Sequence, residues 1–124
     1  MKVVAIVQAR MGSTRLPDKV MKPILGIPMI GILLNRLFKA DEIDQILVST
    51  STDAKNDVLE NYVSELGFQV FRGSEDDVLQ RFVDTAMYAS ADVIVRITGD
   101  CPLVDPMLVN SYVKEFKTRT VDYL

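Results

Sequence analysis

The 124-residue chain has no histidine, no tryptophan and one cysteine. Each absence removes a class of chemistry. Without histidine there is no Ser-His-Asp or Cys-His nucleophile and no imidazole-bound metal. The lone Cys101 makes neither an internal disulfide nor a thiolate zinc cluster, and with no imidazole to activate it the thiol reads as a small packed side chain. Positive charge is short as well. Fourteen Lys and Arg against seventeen Asp and Glu leave a net charge of −3. A non-specific nucleic-acid or membrane-surface binder needs a basic face, so neither partner is expected. No apolar run approaches the roughly 18 residues of a membrane-spanning helix. Residues 1–7 carry one positive charge and a short apolar stretch, which reads as a first strand and not as a leader. A soluble cytoplasmic protein is the expectation.

What is present is ordinary for a globular domain: 48% hydrophobic and 25% charged residues. The length suits one domain with a small core. Apolar runs alternate with helical stripes. Residues 3–9 form an apolar run broken only by Gln8, as in a strand buried on both faces. Residues 10–19 are a polar loop, and Gly26-Ile27-Pro28 a turn. Residues 29–39 predict a helix with Ile30, Leu33, Leu34, Leu37 and Phe38 on one side. Residues 45–50 are a second strand. Residues 54–66 predict a helix with the stripe Val58, Leu59, Tyr62, Val63 and Leu66, stopped by Gly67. Residues 68–71 are a third strand. Ser74-Glu75-Asp76-Asp77 resembles a capping box and opens a helix with the stripe Val78, Leu79, Phe82, Val83 and Ala86. Residues 92–97 are a fourth strand. Asp105-Pro106 reads as an N-cap followed by proline at the first helical position, ahead of Leu108, Val109, Tyr112, Val113 and Phe116. Residues 121–124 look like the start of another strand. Repeated β-α units with apolar strands imply a parallel sheet with helices on both faces.

Two loops carry the chemistry. Gln8-Ala9-Arg10-Met11-Gly12-Ser13-Thr14-Arg15-Leu16-Pro17-Asp18-Lys19 follows the first strand, at the end where open α/β sheets bind ligands. Gly12 lets backbone N–H groups approach an anion, and Arg10, Arg15 and Lys19 supply charge-assisted bonds to phosphate oxygens. In an acidic chain, this concentration of cations favours phosphate binding over a merely solvated loop. The second loop, Thr98-Gly99-Asp100-Cys101-Pro102, ends the fourth strand. Asp100 is either a turn residue or a carboxylate sharing a hard cation with bound phosphates. Residues 49–53 and Arg72-Gly73-Ser74 end the neighbouring strands, as cleft lining or as simple connections, and Arg81 can point either way.

The first loop resembles the A-R-x-G-S-x-R-x-P-x-K signature of the sugar cytidylyltransferases, which make CMP-activated acidic sugars. Phe71-Arg72-Gly73-Ser74-Glu75-Asp76-Asp77-Val78-Leu79 and Val95-Arg96-Ile97-Thr98-Gly99-Asp100-Cys101-Pro102-Leu103-Val104-Asp105-Pro106 resemble the spore coat polysaccharide branch of that superfamily. The resemblance implies a three-layer α-β-α nucleotide-diphosphosugar transferase fold, Rossmann-like, with a mostly parallel sheet, strand order 3-2-1-4 and an incomplete second half. It implies CTP, Mg²⁺ and a sugar substrate, and a homo-oligomer. Arg10 and Lys19 match its triphosphate-binding positions and Asp100 its metal-binding aspartate, and these three are the catalytic candidates. Gln8, Ala9, Gly12, Ser13, Arg15, Ser74, Arg81 and Thr98 complete the nucleotide-binding set; several relatives carry Gln where this chain has Thr98.

Family members run to roughly twice this length, beyond a usual single-domain prior. Residues 1–124 are therefore expected to be the N-terminal, nucleotide-binding part of a longer domain. Two other activities fit the same β-α pattern: a catalytically incomplete nucleotide-binding module, and a glycosyltransferase using a nucleotide-sugar donor. The latter usually shows an Asp-x-Asp pair where only Asp100 stands here.

Overall fold

The computed structural model describes residues 1–12, 19–99 and 104–118. At its centre is β1 (Val3–Gln8), whose Val3 to Val7 side chains are wholly buried. Burial is complete because β1 has a parallel neighbour on each edge and helices over both faces. On one side Val4 to Gln8 pair with β4 (Gln45–Ser51), and on the other Val3 to Gln8 pair with β6 (Val93–Thr98). β4 pairs in parallel with β5 (Gln69–Gly73), so the order across the sheet is β5-β4-β1-β6. This is the 3-2-1-4 order expected.

Helices α1 (Met29–Leu37), α2 (Asp57–Glu65) and α4 (Pro106–Thr118) lie over one face, and α3 (Val78–Tyr88) covers the other alone. Ala5, Val7 and Val48 pack with Leu33, Leu34, Leu59 and Val63 on the first face; Val4, Ile6 and Leu47 pack under Phe82, Ala86 and Ala89 on the second. The right-handed crossover rule accounts for this. Successive strands step from β1 outward to β5 with α1 and α2 on one face, and the return to β6 carries α3 over the other.

Several sequence expectations shift. The turn expected at residues 26–28 is a small hairpin, β2 (Pro23–Ile24) with β3 (Ile27–Pro28). Leu25 and Gly26 between them both have positive φ, 51° and 85°, as a type I′ turn demands. The helix expected from residue 54 begins as a 3-10 turn, Ala54–Asn56, before α2. Phe38 lies past the end of α1 and is 72% exposed, stacked edge-on against Phe68. Val58, Leu66, Leu108 and Tyr112 are likewise exposed at the margins of their stripes. On α3, Val78, Leu79 and Val83 are exposed while Arg81 and Thr85 are buried. The cap also moves. Ser74 Oγ accepts from the Asp77 N–H at 3.0 Å, but the helix starts after Asp77, whose Oδ1 accepts from the Gln80 N–H at 3.0 Å. Asp105 caps α4 as expected, accepting from the Met107 N–H at 2.9 Å. Residues 121–124 lie outside the described residues.

Candidate functional site

The carboxyl ends of all four parallel strands open at one edge of the sheet. There Gln8 stands in register between Ser49 and Thr98. The Ala9 N–H donates to the Ser49 carbonyl at 3.1 Å, and the Gly99 N–H donates to the Gln8 carbonyl at 2.8 Å. Gly99 also permits a close approach of the two strand ends. A Cβ at Gly99 would stand 2.7 Å from Ala9 Cβ and 3.0 Å from the Gln8 carbonyl oxygen, so only hydrogen fits between these strand ends. Arg96 Nε donates to Gln8 Oε1 at 3.1 Å, with its guanidinium carbon 5.8 Å from the centre of the Phe82 ring. The Gln8 amide is thus held in place, and Thr98 beside it is exposed.

The loop after β1 is fastened from below. Asn56 is fully buried; its Oδ1 accepts from the Met11 N–H at 2.8 Å and its Nδ2 donates to Ser51 Oγ at 2.6 Å. Ser51 Oγ in turn donates to Glu75 Oε2. Three connections, after β1, β4 and β5, are therefore joined through Asn56, Ser51 and Glu75. Above this network sit two cations. Arg10 Nη1 and Lys55 Nζ each lie 3.7 Å from Glu75 Oε1, and Lys55 Nζ is also 3.8 Å from Asp53. Gly12 has φ +76°, and the Lys55 stem runs so close that a Cβ on Gly12 would meet its Cε and Nζ at 3.1 Å. Lys19 begins a short 3-10 turn, Lys19–Met21, and is half-buried.

Two further arginines behave differently. Arg81 is 2% exposed and donates to the Ser74 carbonyl at 3.1 Å, while its Nε has no partner among the described residues. Burial lowers its pKa, Glu75 nearby opposes that shift and the Arg10 charge adds to it. Arg81 thus forms the buried floor of the cation cluster. Arg72 clamps the scaffold: it donates to the Ser51 and Asp53 carbonyls at 2.8 and 2.7 Å and to Asp57 and Glu60 at 2.7 and 3.0 Å. The hydrogen bond to Asp57 chiefly raises its pKa, so it stays charged and committed to these partners.

The structure gathers Gln8, Ala9, Arg10, Gly12, Ser74, Arg81 and Thr98 along this one edge. Ser13, Arg15 and Asp100 lie outside the described residues. Lys55, Asn56 and Glu75 were not singled out by the sequence. Lys55 and Asn56 stand just past the β4 end, where a strand-end argument carried three residues beyond 53 would have reached both.

The cytidylyltransferase profile matches residues 4–124. The chain belongs to the cytidylyltransferase family. It is 40% identical over 125 residues to the spore coat polysaccharide biosynthesis protein SpsF of Bacillus subtilis, covering 98% of this chain and 52% of SpsF. Among solved structures, a cytidylyltransferase from Leptospira borgpetersenii superposes with a TM-score of 0.92 at 39% identity, over 97% of this chain and 50% of that one. A CMP:2-keto-3-deoxy-manno-octonic acid synthetase complexed with CTP matches with a TM-score of 0.85 at 26% identity, over 94% of this chain and 48% of that one. This cytidylyltransferase chain spans about half the length of the curated relatives it matches. Among its described residues no three Cys, Asp or Glu side chains gather as a metal site, and no helix is long and apolar enough to cross a membrane. A hollow of about 630 Å³, lined in part by Lys2, Phe38, Asp44 and Phe68, lies at the opposite, amino end of the strands and has no such cluster of cations.

Proposed function

We propose that this chain is the nucleotide-binding part of an enzyme that transfers CMP from CTP to a sugar, in the cytoplasm, for cell-surface or spore coat polysaccharide. The observation that carries the reading is the convergence of Arg10 and Lys55, from two different loops, on one anionic oxygen beside Gly12 at the strands' carboxyl edge. Such an arrangement suits a polyphosphate. Similarity to a synthetase complexed with CTP supports cytidine as the base. In the proposed reaction a sugar hydroxyl oxygen attacks the α-phosphorus, the bond to the bridging oxygen breaks in line, and pyrophosphate leaves with the negative charge. The substrate is the nucleophile, so a chain without histidine is no obstacle. Arg10 and Lys19 hold the departing phosphates, and Gln8, Ala9, Ser13, Arg15, Ser74, Arg81 and Thr98 frame the nucleotide.

Mg²⁺ belongs to the same proposal. Asp100, which lies outside the described residues, would hold the cation, as the resemblance implies; a single carboxylate beside bound phosphates would suit Mg²⁺, which is commonly bound through one or two carboxylates together with substrate phosphates. When bound it neutralises charge between the phosphates. A module that binds CTP without turnover is the second reading.

Titration calorimetry with CTP and Mg²⁺ tests the reading. Arg10→Ala loses one charge-assisted contact from a half-exposed side chain and should weaken CTP about tenfold. An unchanged dissociation constant refutes the assignment. Asp100→Asn should abolish the Mg²⁺ enhancement of CTP binding; equal enhancement in both forms makes Asp100 a turn residue only. Pyrophosphate release with a panel of acidic sugars separates the enzyme from the silent module.

A further inference from the structure

We propose that Lys55 is a phosphate-binding residue of this site and that the Glu75 carboxylate occupies the phosphate position until the ligand displaces it. The inference rests on the reading of this cleft as a triphosphate site and extends it to two residues that the resemblance assigns no role, Lys55 outside the quoted segments and Glu75 within one of them.

The geometry is that of a loosely held internal anion. Glu75 Oε1 lies 3.7 Å from both Arg10 Nη1 and Lys55 Nζ. Neither contact reaches the roughly 2.7–2.9 Å of a charge-assisted hydrogen bond. The other carboxylate oxygen is the anchored one, bonded by Ser51. Both cations keep nearly half of their side chains open to solvent, 46% for Arg10 and 43% for Lys55, so a ligand can reach them without unfolding anything.

Lys55 is also placed by construction. Its backbone N–H donates to Asp53 Oδ1 at 3.0 Å, and the next residue, Asn56, is fully buried and bonded to Met11. Its ammonium therefore moves with the loop after β1. Gly12 leaves room for the stem; a Cβ there would meet its Cε and Nζ at 3.1 Å and displace the ammonium by a few tenths of an ångström. Buried Arg81 adds a third positive charge, its Nε without a partner among the described residues, and Glu75 lies close enough to offset it. A phosphate carries more charge than one carboxylate and balances this cluster better. Glu75 thus keeps three like charges together in the empty state, at the cost of competing with the ligand.

The test uses the 124-residue chain, with inorganic tripolyphosphate as the first probe and CTP as the second, both by calorimetry at low salt. Lys55→Ala should weaken tripolyphosphate about tenfold and Lys55→Arg should restore most of it. Glu75→Gln keeps an acceptor for Ser51 while removing the charge. It should tighten tripolyphosphate about threefold, on the scale of two exposed ion pairs lost. Equal or weaker binding by Glu75→Gln, or no loss with Lys55→Ala, overturns the proposal. CTP binding that depends on Arg10 but ignores Lys55 and Glu75 overturns it while leaving the CTP reading intact. The expected tripolyphosphate pattern with no preference for CTP over other triphosphates supports it and overturns the cytidine reading. Binding of neither probe overturns both.

Discussion

Replacing Asn56 with alanine tests whether a single buried amide holds the site together. The side chain is wholly inaccessible and spends both ends: Oδ1 accepts from the Met11 N–H at 2.8 Å, Nδ2 donates to Ser51 Oγ at 2.6 Å. In Asn56→Ala the Met11 N–H loses its partner inside the protein, which costs about 1–3 kcal/mol. Ser51 loses less, because its hydroxyl still bonds Glu75 and still accepts from the Asp53 N–H at 3.3 Å. The void left by the amide adds a further penalty of order 1 kcal/mol. The expected loss is therefore about 2–4 kcal/mol, a large share of a typical domain stability of about 5–15 kcal/mol. Urea unfolding followed by far-UV circular dichroism measures it; tyrosine emission serves as the second probe in a chain without tryptophan. Ser51→Ala orphans Nδ2 instead, and the double variant should cost less than the sum of the singles because the partners share one network. An Asn56→Ala chain within about 0.5 kcal/mol of the parent refutes the argument, as do strictly additive singles.

Gly99→Ala forces a methyl group to 2.7 Å from Ala9 Cβ, so the ends of β1 and β6 must part; overpacking of this kind costs about 1–3 kcal/mol, and CTP affinity should fall with it, whereas parental stability and affinity together would refute the close-approach argument. Burial raises the Tyr62 pKa above its ordinary 10, so the folded form keeps a proton that the unfolded chain sheds; stability is full below about pH 10 and drains away above it, and Tyr62→Phe should flatten that loss in melts run from pH 9 to 11. Val83 and Met87 of α3 and Ile94 of β6 are exposed around a hollow of about 260 Å³, and among the described residues β6 is paired only with β1. Such a face and edge favour self-association. Sedimentation should depend on concentration, and Met87→Lys should weaken that dependence; a monomer at every concentration refutes it.

The sheet was legible because its strands are buried on both faces. Five consecutive apolar side chains, Val3 to Val7, leave no other reading, and the order of strands followed from the motif resemblance. The helix faces were legible only where apolar periodicity governs them. On α1 the buried Ile30, Leu33, Leu34 and Leu37 were all foreseen. On α3 the periodicity misleads. Thr85 turns inward to bond Ser49 Oγ at 2.8 Å, and Arg81 turns inward to the Ser74 carbonyl. Buried polar pairs of this kind have no apolar stripe to announce them, so Leu79 and Val83 were placed inside and are outside. The site divides in the same way. Arg10 and Gly12 stand out because their loop follows a buried strand. Lys55 and Glu75 look like ordinary surface charges until the fold brings them within 3.7 Å of each other.

The central position of β1 also sets an order of events during synthesis. Its partner across one edge, β6, lies ninety residues downstream: Lys2 bonds Asp92, and Val3 pairs with Val93. At about 5–20 residues per second a ribosome needs some 5–18 seconds to deliver that partner after the first strand has emerged. Throughout that interval the most apolar segment of the chain has at best one of its two edges paired. Non-local parallel pairing is slow in its own right. The strand at the centre of the core is thus made long before its second edge is covered, and folding in the cell should depend on whatever shields residues 3–7 while the chain grows.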